Sequence, residues 1–343
     1  MSRTVLVGLS GGVDSALTAA LLQKDGYSVT GLYCIMHDQD KAGLEDAGTV
    51  ADHLGIPLHT ADLRQRFDET VVSDFLECYA NAKTPNPCIV CNPAVKFKAL
   101  CDKADELGIE KIATGHYAKI EKRGNGRFCV KAVTEKDQSY MLYRLTQEQL
   151  SRILFPLADT KKEENRALAE QLQIPVSQKA DSQDICFIKG ESYVDYIERR
   201  LGAFPEGEFW LADEDRAVGI HKGLIRYTVG QRKNLGIALG TPVYVSALDP
   251  ESNRVILSRT DVVDHFEITA ESPVFQGIEP EEGSFDAYGK IRFSAKASPC
   301  RVTIRDGILH ARFEQPQRAA TPGQSAVFYD ADGRILCGGF LKR

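Results

Sequence analysis

The chain has no run of 18 apolar residues in its 343, so no segment can cross a membrane as a helix, and its first apolar stretch, Thr4 to Leu9, is too short for a signal peptide. A cytoplasmic protein with no membrane partner is expected. A basic surplus is also missing. The net charge is −6, and division after Asp195 leaves 23 basic against 28 acidic residues in the first part and 19 against 20 in the second, accounting for all 42 and 48. That excludes a chain-wide electrostatic attraction to nucleic acid, so any such contact must rest on local patches. No Gly-Lys-Ser/Thr occurs, which excludes a Walker phosphate loop. Internal repeats and low-complexity tracts are absent as well.

What is present is a globular composition, 43% apolar and 26% charged, in a chain long enough for two or three domains. Residues Ser10-Gly11-Gly12-Val13-Asp14-Ser15 stand where the apolar run Thr4-Val5-Leu6-Val7 gives way to helical spacing through Ala16, Leu17, Ala20 and Leu21. A strand that ends in a glycine-rich turn and restarts as a helix is a phosphate cradle, because converging N–H groups and the helix dipole both favour an anion. Asp14 and Ser15 are expected to sit in a solvent-facing turn. The alternation continues through a strand at Val29 to Ile35, a helix with Ala47, Val50, Ala51 and Leu54 on one face, and short strands at Ile56 to His59 and Ile109 to Thr114. This is a doubly wound α/β pattern, in which ligands sit at the carboxyl ends of strands, where Ser10, Cys34 and Gly115 lie. Hairpin-like runs follow at Ala118 to Lys122 and Phe128 to Val133. Thr160 and Glu163 have capping-box spacing ahead of a helix that reaches about Leu172. Beyond Cys186 helical periodicity fades, and short alternating runs at Val243 to Ala247, Arg254 to Leu257, Lys290 to Phe293, Val302 to Ile304, Ala326 to Tyr329 and Ile335 to Leu341 predict a small β-rich unit and then a barrel or sandwich.

Nine cysteines in such a chain are expected to be buried, catalytic or metal-bound rather than disulfide staples. Packed core thiols are the better reading for Cys78, Cys101, Cys129, Cys300 and Cys337. Cys88 and Cys91 instead stand in Thr84-Pro85-Asn86-Pro87-Cys88-Ile89-Val90-Cys91-Asn92, where a position just ahead of a helix would lower a thiol pKa. Cys186, in Asp181-Ser182-Gln183-Asp184-Ile185-Cys186-Phe187-Ile188, is open between core and function. His221, Lys222, Arg226, Arg232 and Lys233 interleave with Tyr227 as the best local basic patch, read as a phosphate-contacting loop.

The loop SGGVDS, the segment TPNPCIVCN, Gly115-His116-Tyr117, Lys136-Asp137-Gln138-Ser139-Tyr140, DSQDICFI, Tyr227-Thr228-Val229-Gly230-Gln231-Arg232-Lys233-Asn234-Leu235-Gly236-Ile237 and Pro322-Gly323-Gln324-Ser325-Ala326-Val327-Phe328-Tyr329 occur in the order found in the bacterial tRNA-specific 2-thiouridylases, which the chain resembles along nearly its whole length. The resemblance implies a PP-loop ATP pyrophosphatase domain of the adenine nucleotide alpha hydrolase-like fold over residues 1–195, a small β-rich central domain over 196–262 and a C-terminal β-barrel that binds tRNA over 263–343. It implies exchange of the C2 oxygen of the wobble uridine for sulfur in the tRNA anticodon stem-loop. It also implies a sulfur-relay protein or cysteine desulfurase as the sulfur donor. ATP would be bound by Gly8, Leu9, Ser10, Gly11, Gly12, Val13, Asp14, Ser15, Cys34 and Gly115, with Mg2+ to neutralise its phosphates. Asn86, Pro87, Cys88, Lys136, Asp137, Gln138, Arg232, Lys233, Arg292 and Phe293 would touch tRNA. Cys91 would be the nucleophile and Cys186 the persulfide carrier.

Departures from the family pattern are Cys34, where Met is common, and Cys88, where Asp is common. The third thiol makes Cys88, Cys91 and Cys186 a candidate ligand set for a [4Fe-4S] cluster; no metal site is assured. Two rival functions are a PP-loop amidotransferase or ligase acting on a small-molecule carbonyl, and a non-catalytic tRNA-binding module that merely holds ATP. On this domain reading, removal of residues 263–343 should weaken tRNA binding and spare ATP binding.

Overall fold

Val5, Leu6 and Val7 are wholly buried because the strand that carries them is the middle of a parallel sheet covered on both faces. The structure, a computed structural model, describes residues 3–38, 40–133, 136–179, 185–259 and 264–342; Asp181 to Asp184 of the DSQDICFI motif lie outside them. Strand β1 (Arg3–Gly8) leads through helix α1 (Val13–Lys24) to β2 (Tyr27–Ile35), and helix α2 (Lys41–Leu54) leads to β3 (Leu58–Asp62). A helical stretch then returns the chain to the far side of β1 as β4 (Lys111–Ala113). After a hairpin of β5 (Lys119–Lys122) and β6 (Phe128–Lys131), β7 (Ile153–Leu154) completes the order β3-β2-β1-β4-β7, all parallel. The winding direction therefore reverses beside β1, and a crevice opens where its carboxyl end meets those of β2 and β4.

The second unit is a four-stranded sheet of β8 (Gly207–Leu211), β9 (Arg216–His221), β10 (Tyr244–Asp249) and β11 (Arg254–Ser258) in the order β10-β11-β8-β9. The third is a closed barrel of β12 (Asp264–Phe275), β13 (Gly283–Lys290), β14 (Ser298–Arg305), β15 (Ile308–Arg318), β16 (Ser325–Tyr329) and β17 (Ile335–Leu341). One strand closes it. The first half of β12 pairs with β15 and the second with β17, and the register shifts around Ser272, whose φ is +51°.

Several sequence expectations need correction. Lys290 to Phe293 is not a strand: β13 stops at Lys290, and Arg292 and Phe293 lie in the turn beyond it. The third strand begins at Leu58 rather than Ile56, whose side chain packs in the core. Thr160 caps no helix, since its hydroxyl donates to the Leu157 carbonyl (3.0 Å) and the helix Lys162–Gln171 starts without a side-chain cap. The capping boxes are at Thr146 with Gln149 and at Ser192 with Asp195.

The barrel is not a detachable appendage. Val327, Tyr329 and Ile335 share one continuous core with Leu6, Phe97, Leu100, Tyr140 and Tyr143 of the sheet unit. Gln276, 0% exposed, accepts from the Val130 N–H (3.0 Å) and donates to the carbonyls of Leu142 and Tyr143 (3.0 Å each). Tyr140 donates its hydroxyl to the Ser325 carbonyl (2.8 Å) and accepts from the Ser325 N–H (3.1 Å). Truncation at 263 would strip apolar cover from the sheet unit and orphan these groups, so it cannot spare the ATP site. Gln276→Leu should destabilise the whole chain by about 3 kcal/mol, since it leaves buried peptide groups unpaired. Calorimetry should then show one transition at a lower midpoint; a barrel that melts separately from the sheet unit would contradict the shared core.

Candidate active site

Between β1 and α1 the chain turns through Gly11 at φ +69°, and a Cβ there would lie 2.5 Å from the Gly43 carbonyl oxygen. Only glycine permits both the left-handed turn and the seat on α2. Gly12 enters α1 in an extended conformation without a side-chain cap, leaving the first-turn N–H groups aimed at the crevice. The Ser15 hydroxyl donates to the Gly12 carbonyl (2.9 Å) and accepts from the Ser10 N–H (3.1 Å), which closes the loop on itself. Gly115, just past β4, lies against the first turn of α1: a Cβ would come within 2.7 Å of the Asp14 carbonyl carbon. The loop, Gly115 and Cys34 at the end of β2 thus border one opening.

Asp14 and Ser15 are not in a solvent-facing turn. Ser15 is buried, and the Asp14 carboxylate accepts from the Tyr117 hydroxyl (2.8 Å) and pairs with the Lys162 ammonium (2.6 Å), whose residue is 5% exposed. The Asn165 amide donates to the Tyr117 hydroxyl (3.0 Å). Lys179 donates to the Gly11 carbonyl (3.0 Å) and to Asp46 (2.5 Å), which ties the loop to α2. Sequence reasoning missed both lysines. One signal was available for Lys162: a cation at the first turn of a helix opposes the dipole and needs an anionic partner elsewhere.

Cys88 and Cys91 are not ahead of a helix but inside a short one, Pro87–Cys91, capped by the Asn86 side chain, which accepts from the Cys88 N–H (3.2 Å). Asn86 and Pro87 are half-buried and Cys88 is exposed. Cys91, 7% exposed, lies where that turn passes without a break into the helical residues Asn92–Lys96 and Phe97–Glu106. Burial pushes its thiol up to about 12, with the Cys186, Cys88 and Cys34 sulfurs adding to the shift and Lys96 opposing it. Cys34 is pushed up to about 11, again by burial against Lys96. Cys186 is exposed, yet desolvation of its sulfur and then the nearby Cys88 raise its thiol too. Burial thus raises the Cys91 thiol, contrary to the expectation of a lowered pKa.

Lys96, also missed, is the cation these sulfurs share. It closes a π-helical turn, Asn92–Lys96, directly after Cys91; the wider turn brings position i+5 back toward the face of position i, where an α-helix would carry it away. Desolvation weighs on its ammonium, but Cys91, Cys88, Cys186 and Cys34 outweigh it and keep the group above its ordinary pKa. Burial and then Lys96 hold His116 down at about 3. This neutral imidazole meets the Thr114 hydroxyl (2.8 Å) between the rings of Phe97 and Phe155. Lys96 thus stands between thiols and strand ends on both sides of the phosphate loop. Among the described residues no three His, Cys, Asp or Glu side chains converge as a metal-binding group. Among the described residues Cys88, Cys91 and Cys186 do not form such a group, and no carboxylate cage for magnesium is found.

The expected tRNA contacts divide. Asp137 accepts from the Ser139 N–H (3.0 Å) and hydroxyl (2.8 Å), and Gln138 accepts from the Tyr117 N–H (2.9 Å), so both are engaged within the fold. Lys136 is exposed with φ +49°. The structure brings this segment together with the distant Arg292 and Phe293: Lys290 faces Asp137 at 3.7 Å, and the 43% exposed Phe293 meets the Tyr140 ring edge-on at 6.3 Å. Arg232 and Lys233 are exposed on the central unit. Lys222 is exposed there too, but His221 and Tyr227 leave the predicted basic patch, being buried against Phe209, and Arg226 pairs with Glu198 (2.9 Å). Unforeseen is a cleft of about 640 Å3 between central sheet and barrel, whose walls include Arg301, Arg312 and Lys342.

Family models match in three consecutive stretches: tRNA methyl transferase HUP domain over residues 3–190, tRNA methyl transferase PRC-barrel domain over 194–259 and aminomethyltransferase beta-barrel domain over 265–341. The tRNA-specific 2-thiouridylase MnmA of Acetivibrio thermocellus is 42% identical over 354 residues, 98% of each chain. That of Clostridioides difficile is 39% identical over 358, covering 100% of this chain and 99% of its own. The chain belongs to the tRNA-specific 2-thiouridylase family. Among solved structures, NMN synthetase from Francisella tularensis aligns with 57% of this chain and 71% of its own at TM-score 0.36 and 21% identity, a level that decides nothing. Within the 2-thiouridylase site, the Asp14 pair can be separated from the chemistry. Asp14→Asn should destabilise the chain by about 2 kcal/mol, less than a fully buried pair costs because Asp14 is partly exposed. Adding Lys162→Met should recover most of the denaturant midpoint without recovering turnover; no recovery would mean that Lys162 is not the charge Asp14 neutralises.

Proposed function

We propose that this chain is a tRNA-uridine 2-sulfurtransferase that uses ATP and a cysteine persulfide to make 2-thiouridine at the wobble position. One observation carries the reading: the phosphate cradle after β1 and the thiols around Lys96 open at the same end of one parallel sheet. Family membership and relatives near 40% identity over the full chain support it. Residues 1–195 form the catalytic unit, 196–262 the central unit and 263–343 the barrel that holds tRNA.

A uridine carbonyl oxygen is a poor leaving group, so activation comes first. The O2 atom bonds to the α-phosphorus of ATP, the bond to the β-phosphate breaks, and pyrophosphate departs from the cradle of Gly8 to Ser15. Magnesium, held by the phosphates, would supply charge neutralisation there. The outer sulfur of a persulfide on Cys186 then bonds to C2, and the C2–O bond breaks with AMP as leaving group. Attack by the Cys91 thiolate on the inner sulfur of Cys186 forms a Cys91–Cys186 disulfide and sends the electron pair to the sulfur on C2, giving the thiocarbonyl. An external dithiol must reduce that disulfide, and a sulfur-relay protein or cysteine desulfurase must reload Cys186. Lys96 is the cation beside every sulfur anion in this sequence, which counters the burial that otherwise keeps Cys91 protonated. Cys88 makes no bond; it is the exposed thiol of the capped turn.

With unmodified tRNA and a persulfide donor, the products should be AMP and pyrophosphate; ADP and phosphate would exclude the assignment. Cys91→Ser and Cys186→Ser should form no 2-thiouridine by mass spectrometry of digested tRNA, whereas Cys88→Asp should retain it in air. Lys96→Met should lower thiolation by about 100-fold, the usual loss when one electrostatic donor is removed, and leave the Kd for ATP within about 3-fold. Lys96→Arg should restore part of the rate, and full activity in Lys96→Met would refute this role.

A further inference from the structure

Three motifs far apart in the sequence meet at one residue. Thr84, the first residue of TPNPCIVCN, donates its N–H to the Pro322 carbonyl (2.8 Å) and accepts at its own carbonyl from the Gln324 amide (2.8 Å), both on the barrel. Its hydroxyl donates to the Thr228 hydroxyl (3.3 Å) on the central unit. Gly323, at φ +89°, lies so close that a Cβ would fall 2.9 Å from the Thr84 nitrogen. Two residues earlier, Ala82 takes a left-handed φ of +54° and packs among Leu211, Leu224 and Tyr227 in the central core. The N–H, carbonyl and hydroxyl of Thr84 are all held from other units, directly after a helix that closes through the left-handed Ala82, whose N–H donates to the Tyr79 carbonyl (3.0 Å) while the Lys83 N–H donates to the Cys78 carbonyl (2.8 Å).

From Thr84 the chain runs through Pro85, Asn86 and Pro87 to Cys88. Two of these residues have φ locked by their rings, and Asn86 caps the thiol turn, so the link from Thr84 to Cys88 and Cys91 is short and stiff. On the other side, the Gln231 amide accepts from the Thr228 N–H (3.1 Å) and donates to the Lys233 carbonyl (3.0 Å), joining Thr228 to the exposed Arg232–Lys233 segment.

We propose that Thr84 and Gln324 are positioning residues through which tRNA bound on the central unit and barrel sets the thiol turn for sulfur transfer. This rests on the proposed tRNA substrate. The units that grip the RNA hold the catalytic loop by its first residue, so the thiols are aligned when the grip is complete. Neither residue touches substrate in this arrangement, and neither makes or breaks a bond.

The test uses the full chain and the exposed Cys88 as reporter. Its rate of alkylation by iodoacetamide is followed by mass spectrometry with and without unmodified tRNA. In the unaltered protein tRNA should change that rate at least 3-fold. In Thr84→Val and in Gln324→Ala the change should vanish and thiolation at saturating tRNA should fall about 10-fold, while the Kd for tRNA stays within 2-fold. Thr84→Ser, which keeps the hydroxyl, should behave as the unaltered protein. A purely structural role would lower stability in these variants without removing the tRNA response. The proposal is overturned if Thr84→Val and Gln324→Ala respond to tRNA as the unaltered protein does, or if the unaltered protein gives no response although tRNA binds. Absence of 2-thiouridine in every sample, with the Cys88 response intact and lost on substitution, would count against the assigned reaction and leave the coupling standing.

Discussion

Burial of the barrel against the parallel-sheet unit is the constraint on which the rest of the molecule depends. Tyr140 and Tyr143 are among the largest fully buried side chains, and each carries a hydroxyl that must find a partner in a dry interface. Ser325 supplies it for both: its backbone for Tyr140 and its hydroxyl for Tyr143, at 3.1 Å. Once β16 is seated this way, the preceding turn with Pro322, Gly323 and Gln324 is brought against Thr84, and the loop with the thiols has no freedom to lie elsewhere. The catalytic unit is completed by the other two.

Within that frame the sulfur site is a contest between burial and one cation. Cys91 sits deep enough that its thiol is held up at about 12, which protects it from adventitious oxidation. Lys96 is placed to reverse that penalty once an anionic sulfur or phosphate is present. The cradle for ATP obeys a parallel rule. Asp14 is held by Lys162 and Tyr117 so that the loop backbone, not a carboxylate, faces the incoming phosphates.

Legibility in the sequence followed the range of the interaction. The helix Lys41–Leu54 with Ala47, Val50 and Ala51 inward, its left-handed Gly55 cap and the strand Ile335–Leu341 were readable because periodicity and capping are local. Thr160 had the spacing of a cap yet turned to Leu157, and Lys290 to Phe293 alternated like a strand yet turned away from the barrel wall, since spacing records opportunity and not the competing partner. The basic patch failed similarly: His221 is basic in a count and a buried aromatic partner of Phe209 in the fold. Lys96 and Lys162 went unseen because a lysine's role depends on what lies across the cavity.

The sequence by itself determined the chemistry on offer: a phosphate loop at a strand end, a pair of thiols at C-x-x-C spacing behind stiff prolines, a third thiol far downstream, and motifs in register with one family. Residue type and short spacing suffice for that, since backbone conformation and helix starts are decided within a few residues. Only the tertiary structure decided that burial raises the pKa of Cys34, Cys91 and Cys186, that Lys96 is the cation beside them, and that Thr84 ties the loop with the thiols to both the central unit and the barrel. Those outcomes are set by burial and by contacts across hundreds of residues, such as Thr84 with Gln324, for which no local pattern exists.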